Sequence, residues 1–194
     1  MTAADSDVPR WITKELTTLQ DCAVFEVVRR TCERPPEADT SAPASHNYFF
    51  LDCADFVNVV ALTANDELLL VEQWRAGIDD VTFEVPGGLV DAGETTREAA
   101  ERELLEETGY QGRAWHQLGE CQPNPAIQNN VCATWLVRDV VEVAQTSFDS
   151  TEHCRLHRVP FTEALAMVAD GRIRHALVIV ALHHEMARRI AGGL

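Results

Sequence analysis

Residues 88–110 read GLVDAGETTREAAERELLEETGY, and this stretch decides the fold. Gly88 is followed by Glu94 and then by the run Arg102-Glu103-Leu104-Leu105-Glu106-Glu107-Thr108-Gly109. Thr95 can cap a helix, and Glu98 three residues on completes a capping box. Gly109 suits the left-handed position just past a helix end. The spacing therefore predicts a helix over Thr96–Thr108, with Ala99, Ala100 and Leu104 facing inward. Glu103, Glu106 and Glu107 lie three and four apart, so a helix stacks them on one side. Acids on a helix are ordinarily a solvated face, and like charges at this spacing repel by about 0.2–0.5 kcal/mol per pair. That reading leaves the glycines at both ends and the arginine beside the carboxylates unexplained. A cation filling the cluster explains them better, and carboxylate oxygens suit hard divalent ions such as Mg²⁺ or Mn²⁺.

Around this helix the chain reads as strands. β-branched and aromatic content marks Cys22–Arg30 as a strand, and 46–51, 56–64 and 67–74 read as successive strands, with Asn65-Asp66 as the turn between the last two. Val81–Val85 is a short strand leading into Pro86-Gly87-Gly88. Residues 113–121 and 131–139 read as two more. Thr162–Asp170 reads as a short helix stopped by Gly171, and His175–Ala191 as a long closing helix. Residues 1 to about 20 are polar and read as a loosely ordered arm, and 31–45 as a proline-bearing connection. The expectation is an α+β fold, divided into an N-terminal arm and β segment (1–45) and the domain that carries the acidic helix (46–194).

Composition narrows the function. Sixteen basic against thirty-one acidic side chains give a net charge of −15 over 194 residues. That disfavours nucleic acid or an anionic membrane as partner, since both require basic patches. No apolar signal region opens the chain and no apolar run has membrane-spanning length, so a cytoplasmic location is expected. The six scattered cysteines are expected to be free thiols. His183-His184-Glu185 lacks the second histidine of a zinc helix, and His153 and His157 are too far apart on a strand to share an ion.

The spacing Gly88, Glu94, Arg102-Glu103-Leu104, Glu106-Glu107, Gly109 resembles the Nudix box, the signature of the Nudix hydrolases. Tyr110 stands where that family favours an aliphatic residue. The resemblance implies an α/β/α sandwich with a mixed sheet, here carrying an N-terminal β extension. It also implies metal-dependent hydrolysis of a diphosphate bond. Outside the box, VEQWR (71–75), FEVPGG (83–88) and Pro125, sixteen residues after Gly109, resemble the branch that hydrolyses ADP-ribose and other nucleoside diphosphate sugars.

The resemblance supplies expectations for single residues. Glu103, Glu106 and Glu107 would hold Mg²⁺ or Mn²⁺ together with the Gly87 carbonyl. Glu106 and Arg102 would serve catalysis, Arg102 by orienting a glutamate; Glu98 and Arg102 would also form an i,i+4 pair. Glu94 would brace the loop or lie near the metal. Glu152 would be the general base, with Asp149 second; a plain surface acid is the competing reading for Glu152. Gln73, Arg75, Glu84 and Pro125 would flank the substrate, Arg75 pairing a phosphate bidentately or being only a strand-end arginine. Trp74 or Phe83 could stack a base, core packing being the alternative for at least one. Relatives of this kind pair through N-terminal strands, so a homodimer is expected. A broad ADP-, GDP- or UDP-sugar pyrophosphatase is the alternative, and a non-catalytic sensor of ADP-ribose-type ligands the next.

Overall fold

The computed structural model describes residues 8–36, 41, 44–146 and 154–192. The described chain divides into two compact units, one built from residues up to Cys53 together with Asn124–Asn130, the other from Ala54–Pro123 and the residues from Val131 onward.

The first unit is a three-stranded antiparallel sheet of β1 (Ile12–Asp21), β2 (Phe25–Glu33) and β3 (Ser45–Cys53), in that order. β1 replaces the loosely ordered arm expected there. Nearly all its side chains are exposed, so no apolar alternation marks it as a strand. Backbone pairing with β2, interrupted by two register shifts, holds it instead. Asn124–Asn130 docks on β3: the Leu51 amide donates to the Ile127 carbonyl (2.8 Å) and Asn129 Nδ2 to Asp52 Oδ1 (2.7 Å).

The second unit is a seven-stranded mixed sheet between helices. Its strands are β4 (Phe56–Leu62), β5 (Glu67–Arg75), β6 (Asp80–Glu84), β7 (Gly87–Leu89), β9 (Trp115–Cys121), β10 (Cys132–Arg138) and β12 (Cys154–Pro160). β8 (Tyr110–Gln111) and β11 (Val141–Glu142) form a separate small pair. The helices are α1 (Thr96–Thr108), α2 (Phe161–Ala169) and α3 (Ala176–Ile190). β4 and β10 run parallel, and the other pairings in this sheet are antiparallel.

Alternation along β4 sorts the core into two layers. Val57, Val59 and Ala61 pack with Ala99, Ala100 and Leu104 of α1. Val60 and Leu62 pack with Phe161, Ala164 and Met167 of α2 and Val178, Ala181 and Leu182 of α3. This is the α/β/α sandwich expected from the sequence, each buried Leu or Val side chain contributing about 1.5–3 kcal/mol. Among the described residues no helix is long and apolar enough to cross a membrane.

One irregularity positions the site. β4 and β5 are joined by a tight turn but pair only at Leu62–Leu68. Beyond that they part, β6 pairing with β5 and β7 with β4. The Val85-Pro86 step between β6 and β7 is tied down where the Val59 amide donates to the Pro86 carbonyl (2.8 Å). β7 thus lies beside α1.

Candidate active site

α1 starts and stops as its sequence dictates. Thr95 caps it: its hydroxyl accepts from the Glu98 amide, while Glu98 Oε2 accepts from the Thr95 amide (2.8 Å) and hydroxyl (2.7 Å). Gly109 ends it at φ +73°, donating to the Leu105 carbonyl (2.8 Å). Glu98 is spent on this cap, which corrects the expected Glu98–Arg102 pair. Arg102 turns to Glu94, donating from Nε to Oε1 and from Nη2 to Oε2, both at 3.0 Å. A planar fork on a carboxylate is stronger than a single exposed i,i+4 pair.

Arg102 is the hub of the acidic cluster. Its Nη1 donates to Glu103 Oε1 at 2.8 Å and, more weakly, to Glu106 Oε2 at 3.4 Å. Its Nη2 also reaches the Leu89 carbonyl of β7 (3.0 Å). The bonds it donates to Glu94, with the one to Glu103, push the guanidinium pKa above its ordinary value despite partial burial. The same fork holds the Glu94 carboxyl below its usual range. Glu94 braces its loop as well, accepting from the Asp91 amide (3.1 Å).

The two glycines of β7 leave room for two glutamates. The Gly87 amide donates to Glu107 Oε2 (2.9 Å). A Cβ on Gly88 would fall 2.2 Å from Glu103 Oε1, so this carboxylate rests directly on the backbone. A Cβ on Gly87 would fall 2.1 Å from the Val57 carbonyl of β4. Neither position accepts a side chain without displacement. Glu103 and Glu107 are largely buried, while Glu106 is half exposed.

The three helix carboxylates do not meet at one point: Glu103 and Glu106 lean on Arg102, and Glu107 on Gly87. Among the described residues no three or more Asp, Glu, His or Cys side chains are grouped closely enough to hold an ion. Mutual repulsion between like charges on one helix face is consistent with this spread.

A second cluster adjoins Glu107. Arg75 donates from Nε and Nη2 to the two Glu84 oxygens, both at 2.7 Å. Thr82 adds its hydroxyl to Glu84 Oε1, and the His175 imidazole stands 3.9 Å from Oε2. Burial alone would raise the Glu84 carboxyl, but bonds from Arg75 and Thr82 outweigh it and hold the group below its ordinary value. Arg75 is raised first by Glu84, and the Glu107 charge adds to this, which ties the two clusters together. Gln73 is buried opposite Thr82, whose hydroxyl reaches the Gln73 carbonyl (3.4 Å).

The structure thus gathers Arg102, Glu103, Glu106, Glu107 and Gly87, with Gln73, Arg75 and Glu84 alongside. The Arg75 fork faces Glu84, so a bidentate grip on phosphate would require that pair to open. Pro125 belongs to the first unit and the other candidates to the second. Glu152 and Asp149, with His153, lie outside the described residues. Phe83 packs against the core and edge-on to His157 (5.3 Å), which bonds Glu72 at 2.7 Å; Trp74 is exposed. Thr82 and His175 were missed. Thr82 is legible, since alternation along β6 puts it on the face of Glu84. His175 gives no signal, because only the folded chain brings it near.

The structure thus lays a capped acidic helix against a glycine pair within an α/β/α sandwich. The NUDIX domain model matches residues 55–181, and the chain belongs to the Nudix family. Relatives include an ADP-ribose pyrophosphatase of Saccharomyces cerevisiae, 34% identical over 49% of this chain and 46% of that one. A methanol dehydrogenase activator of Bacillus methanolicus is 26% identical over 66% of this chain and 70% of its own length. An ADP-sugar pyrophosphatase of Mus musculus is 30% identical over 66% of this chain and 54% of that one. The chain therefore spans between about half and 70% of these relatives. Among solved structures, one titled as an ADP compounds hydrolase superposes with a TM-score of 0.80, covering 97% of this chain and 100% of that one; at 19% identity it bears on the fold alone.

Proposed function

We propose that this chain hydrolyses the diphosphate bond of ADP-ribose or a related nucleoside diphosphate sugar, giving a nucleoside monophosphate and a sugar phosphate. The observation that carries this reading is the carboxylate row of α1: Glu103 bonded by Arg102 and resting on the Gly88 backbone, Glu107 bonded by the Gly87 amide, and Glu106 half exposed beside them. Relatives named for ADP-ribose and ADP-sugar hydrolysis support the substrate class.

The donor set has the chemistry a divalent cation takes, and the three carboxylates would have to turn from Arg102 and the Gly87 amide to gather round one. Glu103, Glu106 and Glu107 offer hard oxygens, and the glycine pair brings backbone to within touching distance of Glu103. Mg²⁺ or Mn²⁺ is our choice, held by these three side chains and the Gly87 carbonyl. When bound, such an ion neutralises phosphate charge and acidifies a bound water. The remaining work belongs to the chain. Arg102 fixes Glu103 and Glu94 in place, while the Gly87 amide fixes Glu107. Arg75, held by Glu84, presents positive charge beside Glu107, and Gln73 and Glu84 contribute to substrate selection. Glu152 is our choice for the base that deprotonates the attacking water.

Our reading further takes residues 1–45 as a dimer-forming segment and 46–194 as the hydrolase domain, working as a homodimer in the cytoplasm. Light scattering that finds only a 21.6 kDa particle contradicts the dimer. Activity is tested by phosphatase-coupled turnover of a panel of nucleoside diphosphate sugars with Mg²⁺ or Mn²⁺, and again after chelation. Preference for ADP-ribose supports the first reading, and even activity across ADP-, GDP- and UDP-sugars the broad alternative. Binding of ADP-ribose without turnover would favour a sensor.

A further inference from the structure

Strands β9 and β10 bring two cysteines together. Cys121 and Cys132 are direct partners in this antiparallel ladder, and their thiols hydrogen-bond one another. Direct partners in such a ladder have Cα atoms about 4.5–5.5 Å apart. A disulfide spans about 4.4–6.8 Å between Cα atoms, so the backbone need not move to accommodate one. The other strand cysteines face different residue types: Cys32 faces Thr13 and His46, Cys53 faces Phe25, and Cys154 faces Gln73.

We propose that Cys121 and Cys132 form a cross-strand dithiol site that exchanges with small disulfides and closes into an intrachain cystine. Nothing in the hydrolytic reading uses either thiol. Their accessibility sets the order of events. Cys132 is 1% exposed, and burial pushes its thiol up to about 12; burial raises the Cys121 thiol too, but Cys121 is partly exposed and its sulfur accepts a hydrogen bond from Cys132. Cys121, as thiolate, attacks one sulfur of the small disulfide. A protein–reagent disulfide forms, and the first reagent thiolate leaves with the Cys121 proton. The Cys132 sulfur then attacks the Cys121 sulfur from the adjacent strand. The cystine forms, and the second reagent thiolate leaves with the Cys132 proton. The protein pair is oxidised by two electrons and the reagent disulfide is reduced to two thiols.

The place of the site gives the cross-link a consequence. The chain leaves the second unit after Pro123 and returns at Val131, so a Cys121–Cys132 bond pins the base of the segment carrying Pro125. Cys132 is also in register with Phe56 of β4, and Phe56 with Leu89 of β7. Leu89 supplies the carbonyl that seats Arg102.

The test incubates the reduced full-length protein with excess oxidised glutathione, blocks remaining thiols, and reads intact mass and peptide maps. The expected product has lost two hydrogens, joins the Cys121 and Cys132 peptides, and reverts with dithiothreitol. Cys132→Ser should halt at one glutathione on Cys121. The wild-type result decides the question by itself should that variant disturb the sheet. Persistent glutathione on wild-type Cys121, a different cysteine pair closing first, or both thiols remaining free overturns the proposal. The readout is independent of hydrolysis, so its failure is distinct from failure of the enzymatic reading.

Discussion

Replacing Arg102 tests the organisation of the site. Its guanidinium makes three good bonds to carboxylates, two to Glu94 at 3.0 Å and one to Glu103 at 2.8 Å, besides the bond to the Leu89 carbonyl at 3.0 Å. The Glu94 and Glu103 side chains are only 16% and 14% exposed. Bonds to charged groups contribute about 1.5–3 kcal/mol each when intact. They are not additive here, because Arg102 is 29% exposed and water replaces part of what is lost. We expect Arg102→Ala to cost about 2–4 kcal/mol, from two largely buried carboxylates left without a cation. Arg102→Lys keeps the charge but lacks a fork that reaches both acids, and should cost about 1–2 kcal/mol. Freed from its donor, Glu103 shifts on the Gly88 backbone. A displacement near 1 Å at a catalytic group lowers turnover about 100-fold, so kcat should fall in both variants with little change in KM. Urea denaturation at pH 7 reads the stability and steady-state ADP-ribose hydrolysis the rate. A lysine variant within about 0.5 kcal/mol of wild type and with full kcat would refute the assignment of Arg102 as the hub.

Four further outcomes are expected. Gly88→Ala pushes a flexible carboxylate and should lower kcat about 100-fold with a small stability loss. Gly87→Ala meets the Val57 backbone and should cost about 1–3 kcal/mol; denaturation midpoints and turnover of the two separate the cases. Thr95→Ala removes the α1 cap and should cost about 1 kcal/mol by urea denaturation. Glu185 is fully buried on α3, and although burial raises its carboxyl, bonds from Arg188 and Arg189 hold it below the ordinary 4.5. A depressed carboxyl stabilises the fold above its unfolded pKa and loses that contribution as pH falls through the folded one. Glu185→Gln should therefore be less stable at pH 7 and show a shallower stability loss below about pH 4.5 in thermal melts.

The sequence was most legible where local chemistry and burial agree. α1 could be read from Thr95 to Gly109, because both caps and the Ala99–Ala100–Leu104 face are set by neighbours along the chain. β4, β5 and β10 carry the apolar runs of buried strands, and β12 emerges as the strand after residue 152. β1 was not legible, since a strand held by backbone pairing with exposed side chains leaves no alternation to read. β7 is only three residues long, and its glycines suggest a turn; pairing with β4 makes it a strand. Glu98 offered two partners, and only the folded geometry decided for the cap. The Arg75–Glu84 pair was legible as two substrate candidates, but their mutual bond was not, because it depends on the register of β6 against β5.

The most direct test of the central claim compares wild type with Glu107→Gln on ADP-ribose in the presence of Mg²⁺. Turnover is followed by coupled phosphate release and ligand binding by calorimetry. The account predicts hydrolysis to AMP and ribose 5-phosphate by the wild type, and nearly complete loss of turnover in the variant with the fold intact. Equal turnover in the two proteins, or no hydrolysis of any nucleoside diphosphate sugar by a wild type that still binds ADP-ribose, would contradict it.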